Sequence, residues 1–146
     1  MLIDAHNRFS DGQTVTTGSE NGVLSDDKID LGVTGRNIGV GENLFVVVQV
    51  STLLAGAGDT CTVALVTAEY AALNSPTTLQ TLGTFPAASA VGTQIVAKIA
   101  PATCKRYLGL LYTAAGSGAL EAGAFKAFIT HDIDAYTSYA DNITIS

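Results

Sequence analysis

The chain has 146 residues, a net charge of −6 and a pI near 4.5, the length of one domain able to bury a core without disulfide or metal support. An acidic chain whose seven basic residues are scattered along it is a poor fit to direct nucleic-acid binding, which depends on Lys and Arg displacing counterions from phosphates. No apolar run reaches the roughly 18 residues of a membrane helix, and Met1-Leu2-Ile3-Asp4-Ala5-His6 lacks the basic-then-apolar pattern of a secretory signal, so the chain is expected to fold in the cytoplasm where it is made.

Residues 1–27 are polar and rich in turn formers, and they read as an N-terminal arm with one short strand at 13–17. The body is expected over 28–146. Lys28–Val33 alternates, with Ile29, Leu31 and Val33 on one side. The glycines at 35, 39 and 41 mark a loop. Leu44–Val50 is the most apolar run. Its four valines favour strand over helix, and apolar residues on both faces predict a central place in a sheet. Ala55–Asp59 breaks the chain, and Thr60–Thr67 follows as a strand with Cys61, Val63 and Leu65 on one face.

Glu69–Leu73 is long enough for one helical turn only. Thr77–Phe85 reads as extended, Pro86–Thr93 as a loop, and Gln94–Ala100 as a strand aligning Ile95, Ala97 and Ile99. Pro101-Ala102 is read as a turn. Lys105–Thr113 places Leu108, Leu110 and Tyr112 together, and Leu120–Thr130 places Phe125, Ala127 and Ile129 together. With Gly116-Ser117-Gly118 between them, these two segments predict a hairpin. A last short strand is expected at 142–145. About eight or nine short strands spaced by turns predict an all-β fold, a jelly-roll-like β-sandwich.

Charged residues make up only 14% of the chain, while Ala (21) and Thr (18) abound, against a usual charged share of roughly 25%. Such a surface suits a protein packed against partners. Cys61 and Cys104 are too few for a disulfide framework and read as buried thiols. In a strand Asp132 and Asp134 would share a face, but calcium needs about six to eight oxygens, so no metal site is expected. With two histidines, His6 and His131, and no Gly-x-Ser-x-Gly elbow, no catalytic constellation is legible, and neither enzyme activity nor a cofactor is expected. Gly39-Val40-Gly41 lacks the third glycine and the helix of a phosphate loop. A glycan- or host-surface-binding module would display aromatic residues. Tyr107 and Tyr112 fall in an apolar strand, which leaves Tyr70, Tyr136 and Tyr139.

Gly35-Arg36-Asn37-Ile38-Gly39-Val40-Gly41-Glu42-Asn43-Leu44-Phe45-Val46-Val47-Val48-Gln49-Val50, preceded by Ile29-Asp30-Leu31-Gly32, resembles a stretch of capsid cement proteins from a Bordetella podophage and its relatives. Ser75-Pro76-Thr77-Thr78-Leu79, Lys105-Arg106-Tyr107-Leu108, Tyr112-Thr113 and the opening Phe9–Thr16 follow that family in order. The ending from about residue 132 departs from it. The resemblance implies a jelly-roll sandwich on the outer surface of an icosahedral head. It further implies a dimer or trimer that binds the major capsid protein and has no catalytic residue or cofactor. On that reading Leu2, Ile3, Arg8 and Phe9 of the arm, and Tyr136 and Tyr139 of the tail, are candidate contacts to the capsid or to a second copy. The alternative is a glycan- or host-surface-binding sandwich.

Overall fold

The computed structural model of the protein describes residues 5–15, 22–39, 43–56, 60–115 and 120–131. After a short 3-10 turn at Ala5–Asn7, eleven strands follow among the described residues: β1 (Arg8–Thr14), β2 (Val23–Leu24), β3 (Ile29–Asp30), β4 (Arg36–Ile38), β5 (Phe45–Ala55), β6 (Thr60–Ala68), β7 (Thr77–Phe85), β8 (Gln94–Lys98), β9 (Ala102–Cys104), β10 (Tyr107–Ala115) and β11 (Ala122–Thr130). One sheet runs β1-β11-β5-β8. The other runs β2-β10-β6-β7, with β3 also paired to β10, and β4 and β9 form a separate ribbon. Every pairing is antiparallel.

If β2 and β3 count as one interrupted edge strand, eight strands fill two four-stranded sheets. The chain crosses between the sheets at every step except β6 to β7, and that winding is a jelly roll. It also overturns the hairpin expected from β10 and β11. β10 pairs with β6, β2 and β3, whereas β11 pairs with β1 and β5. Alternation tells which face a residue occupies and says nothing of which strand lies beside it.

The interior follows from period-2 patterning. Val46, Val48 and Val50 of β5 and Phe125 and Ala127 of β11 meet Cys61, Val63 and Leu65 of β6 and Leu108, Leu110 and Tyr112 of β10. At its centre the Phe125 ring stacks on Tyr112, with centroids 5.0 Å apart, and lies 5.1 Å from Phe85. β5 is central, flanked by β11 and β8, as its two apolar faces require.

Other boundaries moved. The first strand spans Arg8–Thr14 rather than 13–17, so this part of the expected arm is sheet. Its register against β11 shifts between Arg8 and Ser10, a bulge that sends Phe9 and Ser10 inward on consecutive positions. The strand expected over Lys28–Val33 shrinks to two residues. The helical turn considered at Glu69–Leu73 is a bend and turn. Arg36–Ile38, read as loop, pairs with Ala102–Cys104, whose first residue was read as part of a turn. The strand expected at 142–145 and the turn at 116–118 lie outside the described residues.

Two glutamines close the sandwich's open sides. On one side Gln13 of β1 donates from Nε2 to the Leu24 carbonyl of β2, and its Oε1 accepts from the Asp26 N–H and from Ser10 Oγ. Because the Ser10 proton goes to Gln13, Tyr112 O–H donates to Ser10 Oγ at 2.8 Å, which ties β1 to β10 across the core. On the other side Gln80 of β7 donates to the Lys98 carbonyl of β8 and accepts from the Ala100 N–H. Between β2 and β3, Ser25 Oγ accepts from the Leu110 N–H, so the interrupted edge leaves no gap there.

Burial also has a pH signature. Both cysteines are free and buried, and desolvation pushes the Cys61 thiol from its ordinary 9.0 up to about 12. Burial likewise raises the Tyr112 phenol. Between pH 9 and 12 the unfolded chain has released a thiol proton that the folded chain keeps. Unfolding in that window therefore releases a proton, so stability falls as pH rises. Urea midpoints should be flat from pH 7 to 9 and decline above it, and Cys61→Ala should decline less steeply. An identical slope in the variant would remove Cys61 from the account.

Candidate docking surface

One pole of the sandwich gathers the ends of strands that are far apart in sequence. The turn after β3, the ribbon strand β4, the residue before β5, the start of β10 and the end of β11 meet there around a cleft of about 370 Å³. Its floor is apolar, formed by Ile29, Leu31, Ile38, Leu44, Leu108 and Ile129. Ile29, Leu31, Ile38, Leu44 and Ile129 are half-buried and packed against the core, and Leu108 beneath them is fully buried in it. The rim is polar, formed by Asn7, Arg36, Asn37 and His131.

The surroundings extend this surface. Thr34 Oγ1 donates to Glu69 Oε1 at 3.5 Å, which holds the turn after β3 beside the turn after β6. Those two turns carry Val33 and Tyr70, exposed by 56% and 67%. They are the two most exposed large apolar side chains at this pole. At the opposite pole Leu53 and Val91 are also exposed.

Electrostatically the pole is divided. Asp30 holds Arg106 in a two-pronged pair, Nε to Oδ1 at 2.9 Å and Nη2 to Oδ2 at 3.0 Å. That guanidinium, helped by the Gly32 N–H, lowers the Asp30 carboxyl below its ordinary 3.8. Arg106 also lies 5.2 Å over the Tyr107 ring. Arg36, by contrast, is exposed and has no ion-pair partner among the described residues.

The sequence-predicted contacts fare unequally. Arg8 is partly exposed and bonds Asp27 at 2.9 Å and Asp11 at 3.1 Å. Phe9 is fully buried in the core, so its side chain offers no surface, because the β1 bulge turns it inward. Leu2, Ile3, Tyr136 and Tyr139 lie outside the described residues. The residues that build the cleft went unnoticed because six separate segments supply them. The available signal was Arg36 two positions before the apolar Ile38 in a glycine-rich loop.

Of the aromatic residues weighed for sugar binding, Tyr112 is core and Tyr107 is half-buried under Arg106; Tyr70 is exposed. No carboxylate is among the described residues lining the cleft, and no group of three or more His, Cys, Asp or Glu among the described residues is placed to hold a metal.

A search of curated proteins returns no match. The family model named Bbp16, a name that points to a Bordetella phage protein, matches residues 9–129, a span running from β1 to the end of β11. The chain therefore belongs to the Bbp16 family.

Proposed function

We propose that the chain is a structural cement protein of a phage head. In this role it sits on the outer capsid surface, binds the major capsid protein and a second copy of itself, and bridges capsomers against internal DNA pressure. It carries out no chemistry of its own. The observation that carries this reading is the polar concentration of apolar surface: an apolar-floored cleft flanked by exposed Val33 and Tyr70, on a body whose open sides are clipped shut. A rigid sandwich with one adhesive pole is suited to wedging between neighbours. Membership of a family named for a phage protein supports the setting.

The mechanism is linkage. A protein that binds the assembled shell and not its separated subunits stabilises the shell by mass action. Each footprint can be small, because once one contact is engaged the next forms at high effective concentration. Val33 and Tyr70 would supply the buried apolar anchors that dominate such interfaces.

Heads prepared without the protein should release DNA at lower temperature than complete heads, and adding purified protein should restore the difference. Val33→Asp combined with Tyr70→Asp should lower restoration at least tenfold while leaving the melting of the isolated protein nearly unchanged, since both side chains are exposed. Equal heat resistance of heads with and without the protein would defeat the proposal.

A further inference from the structure

We infer that the polar cleft is a receptor for one peptide segment of the shell subunit, a segment that places a carboxylate beside an apolar side chain. This rests on the docking reading above and names the partner's chemistry. At about 370 Å³ the cleft falls within the roughly 300–1,000 Å³ typical of ligand pockets. Its floor of six aliphatic side chains excludes a wholly polar occupant, because burying unpaired polar groups there is unfavourable.

The rim selects the sign of charge. The chain carries −6 overall, and of its arginines Arg8 and Arg106 are each bonded to aspartates. Arg36 has no such partner among the described residues, and it lines the cleft. No carboxylate is among the described residues that line it. A planar guanidinium without a partner is matched by a carboxylate, which it can hold with two parallel bonds. Asn37 adds to this. Its Oδ1 accepts from Thr103 Oγ1 at 2.7 Å, which fixes the amide and turns the Nδ2 donors away from that bond, with no acceptor among the described residues.

The wall is also pre-organised. Gly39, at the end of β4, has φ +74°, and a side chain there would meet the Ile99 carbonyl oxygen at 2.8 Å. The backbone behind Arg36 and Asn37 is thus seated directly on the strand exit after β8. A pre-formed wall lowers the ordering cost of binding.

The test uses the full-length protein, overlapping 12-residue peptides covering the shell subunit's sequence, and a peptide of residues 132–146 of this chain. At least one shell peptide with Asp or Glu within two positions of an apolar residue should bind, and binding should weaken as salt rises. Arg36→Glu should weaken that peptide at least thirtyfold and Arg36→Gln about tenfold. Lys126→Glu, the same charge change on β11 away from the cleft, should leave it unchanged. Both Arg36 variants should also bind heads more weakly. If Arg36→Glu binds heads as the parent does and no shell peptide binds, the cleft assignment fails while the docking reading stands. If the parent binds no heads, the docking reading itself fails. If the 132–146 peptide binds and the shell peptides do not, the occupant is this chain's own tail and the shell assignment is overturned.

Discussion

Phe125→Ala is expected to destabilise the fold by about 3–5 kcal/mol, the usual cost of deleting a buried aromatic ring. Phe125 is fully buried on β11, and its ring is the only one in contact with both Tyr112 of β10 and Phe85 of β7 among the described ring pairs. It therefore joins the two sheets at their centre. Removing it forfeits two aromatic contacts as well as apolar area, each contact being worth about 0.5–1.5 kcal/mol. The neighbours that would have to fill the space are strand residues held in long antiparallel ladders, so little collapse is expected. Phe125→Leu should cost about a third as much, because most of the volume remains. Urea unfolding followed at constant slope measures both values. A loss below about 1 kcal/mol for the alanine variant would mean that the centre of the sandwich is not packed as described.

Gln13→Leu should cost about 2–3 kcal/mol, although it preserves volume and adds apolar surface. The reason is what it leaves behind. The Leu24 carbonyl, the Asp26 N–H and the Ser10 hydroxyl each lose a partner, and an unsatisfied polar group within a fold costs about 1–3 kcal/mol. The sum is held down because two of the three bonds are only part-buried and water can reach them. Tyr112→Phe should cost less, about 1 kcal/mol, since Ser10 keeps its bond to Gln13. Hydrogen exchange at the Asp26 N–H should accelerate in Gln13→Leu and not in Tyr112→Phe. Stability equal to the parent in Gln13→Leu would show that the two sheets are not joined through this residue.

These two residues mark what could and could not be read from sequence. Phe125 lies in a segment where every second residue is apolar, so its strand and its inward face were legible. So were β5, β6, β7 and β10, which are rich in Val, Leu and Thr and bounded by turn formers, with β5 apolar on both faces. Gln13 was not legible. A buried glutamine looks like any surface glutamine until the backbone of Leu24 and Asp26, on another strand's flank, is known to stand beside it. The β1 bulge compounded this by breaking the period of two at Phe9 and Ser10, so a sheet strand passed for an arm. Partner identity was equally hidden. A turn signal at 116–118 suggested adjacency, but in a jelly roll the chain crosses to the other sheet at most turns. The cleft combined both difficulties, since its members are ordinary core-facing residues whose shared location is set only by that winding.

The glutamine clips have a consequence for behaviour in crowded solution. Exposed ladders at sheet margins are where β proteins recruit further chains and grow into fibrils. Here Gln13 occupies backbone groups at one margin and Gln80 occupies them at the other. A stock concentrated far beyond physiological levels should therefore stay dispersed, without the dye-binding growth typical of open-margined sheets. Gln80→Ala should be the variant that first loses this tolerance.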